Sequence, residues 1–124
     1  MNWMEIIGAH VMWKQRLIAL LAGNSEETLD PDVIALDNRC VLGKWIYGDG
    51  QAMAELPAFE EVRGLHARFH ELAAEVVRLH CAGDAAAAQS LLHGEYSKLS
   101  EKLKHRILGL SSQVKAAAGG VPKF

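Results

Sequence analysis

The sequence lacks the features that mark several large protein classes. Cysteine occurs twice and proline three times in 124 residues, and two cysteines are too few for a disulfide scaffold. No apolar run approaches the roughly 20 residues that a membrane-spanning helix requires. The longest near the start, Leu17 to Ala22, is short and follows Lys14 and Arg16. The N-terminus also lacks the basic, apolar and small-residue succession of a secretory signal. A cytoplasmic, reducing location is therefore expected, with Cys40 and Cys81 as thiols or metal ligands rather than a disulfide. Nor is there an excess of one charge. The net charge is -2 and the Lys and Arg residues are scattered, so no basic field exists to attract phosphate. Neither nucleic acid nor a membrane is an expected partner.

What is present describes one soluble domain. Half of the residues are hydrophobic and 23% are charged, as in ordinary globular proteins, and the length allows a single core. The domain is expected over 1–118, with the Gly-Gly-Val-Pro stretch placing 119–124 in a flexible tail. Strand signals are nearly absent, and glycine and proline fall at intervals that suit helices. The fold class expected is all-α, as an antiparallel four-helix bundle.

The first helix is expected from Trp3 to about Ala22, capped by Asn2, with Trp3, Ile6, His10, Trp13, Leu17 and Leu20 along its buried seam. The second is expected to run unbroken from Asp30 and Pro31 to Tyr47, with Val33, Leu36, Cys40 and Gly43 inward. Gly43 would let a neighbouring helix approach closely. The third, from Pro57 to about Ala82, carries Phe59, Val62, His66, Phe69, Ala73, Val76 and His80 on its seam. The fourth, capped by Asp84, is expected from Ala85 to about Ala118, with Leu92, Tyr96, Leu99, Leu103, Leu110 and Val114 inward. At about 1.5 Å per residue it would reach roughly 50 Å and project beyond the others.

His66 and His70 stand one helical turn apart, a spacing at which two imidazoles reach the same ion. The metalloprotease pattern fails because Ala67 stands where the catalytic glutamate would be. Di-iron chemistry lacks its Glu-x-x-His pairs. His10 and His66 occupy core positions where an apolar residue would pack without needing hydrogen-bond partners. Satisfied core histidines are the plain explanation, yet Cys40 also falls on an inward line. Three histidines and one thiolate converging from three helices would suit tetrahedral Zn(II).

These residues carry a resemblance. His10-Val-Met-Trp13, Cys40-Val-Leu-Gly43-Lys-Trp45 and His66-Ala-Arg-Phe-His70 occur in this order, and they resemble the His-x-x-Trp, Cys-x-Leu-Gly-x-Trp and His-x-x-x-His signature of the bacterial chemoreceptor zinc-binding domain. The resemblance implies a four-helix bundle, often dimeric, holding zinc through His10, Cys40, His66 and His70. It also implies a regulatory input to a chemotaxis receptor or a diguanylate cyclase. No signalling segment accompanies these motifs, so a stand-alone homodimer acting in trans on such a protein is expected.

Four protein ligands would fill a tetrahedral zinc and leave no position for catalysis, so an enzyme is not expected. Zinc occupancy, or oxidation of a zinc-bound Cys40 thiolate, would be the signal. The alternative is a dimerisation module stapled by permanent zinc. Trp13, Trp45 and Phe69 are expected to pack around the site, and Asp37 to accept from a ligand histidine or to lie solvated. His80 and Cys81 diverge on their helix and are not expected to form a second site. His93 and His105 are expected to be exposed.

Overall fold

The computed structural model describes residues 1–119, and every regular element among them is helical. Residues 120–124 of the expected tail lie outside the described residues. Helix α1 spans Trp3–Leu21, α2 Pro31–Ile34, α3 Val41–Tyr47 and α4 Pro57–Cys81. Helix α5 spans Ala85–Leu91 and α6 Ser97–Gly119, joined by a π-helical turn over Leu92–Tyr96. A short 3-10 turn, Asp49–Met53, links α3 to α4. No described helix is long and apolar enough to cross a membrane.

Local chemistry explains the boundaries. The Asn2 side chain accepts from the Glu5 amide at 3.1 Å and starts α1, and Gly23 ends it at a φ of 75°, where a side chain would be strained. Asp30 and Asp84 cap α2 and α5 through the Asp32 and Ala87 amides. Helix α4 has no side-chain cap of its own. The Gln113 carboxamide of α6 instead accepts from the Ala58 amide at 3.0 Å, which satisfies one of the free N–H groups of the first turn.

That bond, together with Glu61 to Arg106 and Arg68 to Glu95, pairs rising positions of α4 with falling positions of α6 and the π turn before it. The two run antiparallel. Helix α1 runs the same way as α4: Trp3 meets Trp45, which meets Phe59, and further along His10 meets His66 and Phe69. Leu17, Phe69, Leu103 and Ile107 are buried where these helices pack.

Two expectations are corrected. The second helix is broken: α2 stops at Ile34, residues 35–40 turn, and α3 begins with Cys40 as its N-cap. Asp37 and Asn38 favour turns over helix interiors. The break resets the helical phase, so Val33 and Leu36 are exposed while Ile34, Leu42 and Ile46 are buried. The fourth helix is likewise interrupted. Its π turn accommodates one extra residue, which keeps Ala88, Leu92 and Tyr96 buried at spacings of four. Beyond it Leu103, Ile107 and Leu110 are buried and Leu99 is half-buried.

Candidate metal centre

His10, Cys40, His66 and His70 come together where α1, α4 and the start of α3 meet, with one ligand atom from each lying within 4.8 Å of all the others. The Cys40 Sγ is 3.1 Å from His66 Nε2 and 3.7 Å from His70 Nε2. The two Nε2 atoms are 3.0 Å apart. A tetrahedron with Zn–N near 2.05 Å and Zn–S near 2.3 Å has edges of about 3.3 Å between nitrogens and about 3.6 Å from sulfur to nitrogen. The spacing of the Cys40, His66 and His70 donors is close to those edges, and His10 stands within 4.8 Å of them.

Tautomers point the same way. His10 Nδ1 lies 2.7 Å from the Ile6 carbonyl and His70 Nδ1 lies 2.9 Å from the Ile34 carbonyl. A carbonyl only accepts, so Nδ1 carries the proton in both rings. Burial, above all else, lowers the pKa of both histidines and keeps them neutral. Each Nε2 is then a lone pair turned into the cluster, the form a metal requires.

His66 is fully buried, its Nδ1 has no hydrogen-bond partner, and burial followed by the neighbouring His70 and His10 pushes its pKa down to about 2. Three neutral imidazoles around a thiol, one with an orphaned nitrogen, fit poorly as hydrogen-bonded core residues. As a donor set for zinc they fit well.

Cys40 is half-buried and caps α3, its Sγ accepting from the Gly43 amide at 3.4 Å. Burial raises its thiol pKa, against the opposing pull of the Gly43 and Leu42 amides. Retention of a thiolate there calls for a cation nearby. Gly43 is required by the turn: a Cβ would stand 1.8 Å from the Asp37 carbonyl oxygen. The chain thus folds onto itself at the point where a neighbouring helix was expected.

The residues around the cluster divide between its back, its mouth and its flank. Phe69 is fully buried, its ring 5.2 Å from His10 and 5.3 Å from Tyr96, and it separates the cluster from α5 and α6. Trp13 is half-buried under the Arg16 guanidinium at 3.9 Å and borders the cleft whose lining includes Cys40 and His70. Trp45 packs on Trp3 and Phe59.

Asp37 accepts from the Tyr47 hydroxyl, while backbone carbonyls hold His10 and His70. Sequence patterns cannot show a carbonyl acceptor, although Ile6, four residues before His10, lies within helical reach. Cys81 is exposed at the end of α4, and His93 and His105 are exposed as well.

No curated protein and no solved structure matches the chain. The profile of the chemoreceptor zinc-binding domain matches residues 10–77, more than half of the chain and all four clustered residues. A zinc-binding family, and a cluster of three histidines and one cysteine that could hold the ion, place the chain in the chemoreceptor zinc-binding domain family.

Proposed function

We propose that the chain is a regulatory zinc module, in which His10, Cys40, His66 and His70 hold one Zn(II) and its occupancy changes how α1, α3 and α4 pack. The observation that carries this reading is the convergence of four protein donors, two of them histidines fixed with Nε2 inward. Four donors complete a tetrahedral shell, which favours sensing over catalysis. The ion would supply the positive charge that keeps Cys40 a thiolate.

We read the long helices and the broken α2–α3 segment as a four-helix bundle, working as a cytoplasmic homodimer. Its output would be a chemotaxis receptor or a diguanylate cyclase, contacted in trans. The signal is zinc level or oxidation of Cys40. Both act through the same residues: Cys40 begins α3, and Ile34, which holds His70, ends α2. Loss of the metal frees Cys40 and with it the 35–40 turn.

The test is elemental analysis of protein purified without added metal, beside Cys40→Ala and His66→Ala, followed by amide exchange and sedimentation with and without chelator. About one zinc per chain, reduced in both variants, is expected. Chelation should speed exchange in 34–47 ahead of α6. Zinc content indifferent to both substitutions would sink the ligand set. Full occupancy under every zinc concentration and oxidant tried would leave a structural staple in place of a sensor.

A further inference from the structure

Two clefts open on the cluster, and they have Arg39 and Cys40 in common. One, of about 450 Å³, reaches Cys40 and His70 past Trp13. The other, of about 490 Å³, lies between α1 and α3 and reaches Cys40 and His10. His66 borders neither and is fully buried. The donors are therefore approachable from the Cys40 side and closed from behind.

The charges on the rim are unbalanced. Arg16, Arg63, Arg68, Arg78 and Arg106 each pair with a carboxylate. Arg39 pairs with none among the described residues, and neither does Lys44 across the second cleft. Both are exposed. Among the described residues, Glu5 is the only acidic one lining that cleft. The first cleft instead sets Asp30 against Arg39, and its Arg16 is engaged by Glu27. The second cleft thus presents a net positive mouth beside Cys40.

We propose that the cleft between α1 and α3 is the exchange site of the zinc centre, where Arg39 and Lys44 gather small anionic chelators that deliver or remove the ion. This rests on the zinc reading above. In removal, the incoming anionic donor takes the place of the Cys40 Sγ. Further chelator donors would then replace His10, His66 and His70 as the three Zn–N bonds break, the ion would leave with the chelator, and the freed thiolate would take up one proton from water. No electrons are transferred. Arg39 and Lys44 act by steering: they raise the local concentration of anions at the mouth without touching the ion, so equilibrium affinity should be nearly unaffected.

The experiment is stopped-flow loss of zinc from the loaded protein to nitrilotriacetate, an anionic chelator, and to a neutral polypyridyl chelator. It compares wild type with Arg39→Gln, Arg39→Lys, Lys44→Gln and the Arg39→Gln/Lys44→Gln double variant. At low ionic strength each Gln variant should slow transfer to the anion about two- to threefold and the double variant about fivefold or more, with the effect shrinking as salt is raised. Arg39→Lys should keep the wild-type rate, and the neutral chelator should not distinguish the proteins. Both residues are exposed and unpaired, so the variants should fold, and their zinc content should remain one per chain. Equal slowing for both chelators, or none for either, overturns the exchange site and leaves the zinc reading standing. A wild type that loads no zinc overturns both.

Discussion

At the scale of single residues, the centre depends on one glycine as much as on its ligands. Gly43 stands where a Cβ would meet the Asp37 carbonyl oxygen at 1.8 Å and the Asn38 Cα at 2.9 Å. Both are backbone atoms and cannot swing aside. Gly43→Ala must therefore pull residues 37 and 43 apart, at a cost of about 3 kcal/mol, and in doing so displaces Cys40, which caps the same turn. Thermal unfolding of Gly43→Ala is expected to shift well below wild type, with zinc retention impaired; an unchanged melting curve and full zinc content would show that the chain does not approach itself there. The glycine itself was legible as a marker of close approach. The partner was not, because a carbonyl six positions earlier leaves no trace in residue type. The same holds for His10 and His70. Their being inward was readable from helical period, whereas the Ile6 and Ile34 carbonyls that fix their tautomers became visible only once the backbone was placed.

Among the elements, legibility followed continuity. Helices α1 and α4 keep one period from end to end, so the pattern of three and four located Trp3, Ile6, His10 and Leu17 on one and Phe59, Val62, His66 and Phe69 on the other. Where the backbone departs from a uniform helix, a uniform period misplaces residues: it turned Val33 and Leu36 inward and passed over Ile107. Cys40 reached the centre for a different reason than its helical phase suggested, as the cap of a new helix. The long helices also leave room for improvement. Gly109 sits inside α6 with nothing within 4 Å of the position its Cβ would occupy. Gly109→Ala removes only the conformational freedom of the unfolded chain and should stabilise the monomeric fold by about 0.5–1 kcal/mol. Denaturant unfolding with an unchanged slope and a higher midpoint would agree. A lower midpoint would mean that another surface already occupies that face.

For the whole molecule, the donor set couples the stability of the zinc-free protein to pH. In an unfolded chain histidine titrates near 6.5, whereas burial lowers His10, His66 and His70 in the folded state, His66 to about 2. As the pH falls through 6.5 the unfolded chain takes up protons that the folded chain refuses, so stability that is fully present above 6.5 is progressively lost below it. Cys40 acts at the other end. Its pKa is raised from 9.0 by burial, so its contribution is present below 9 and is lost as the pH rises beyond it. Each histidine can contribute a slope of up to about 1.4 kcal/mol per pH unit for as long as the fold keeps it neutral, and His66, lowered to about 2, does so across the whole mildly acidic range. The chelated protein should thus be most stable between about 6.5 and 9 and unfold on mild acidification. The zinc-loaded protein should hold to lower pH, because protons must first displace the metal. Melting temperatures measured from pH 8 to pH 4, with and without chelator, would separate the two curves. A chelated protein whose melting temperature stays flat from pH 7 to pH 5 would show that the three imidazoles are not held neutral in the fold, and would remove the inward Nε2 lone pairs on which the zinc reading depends.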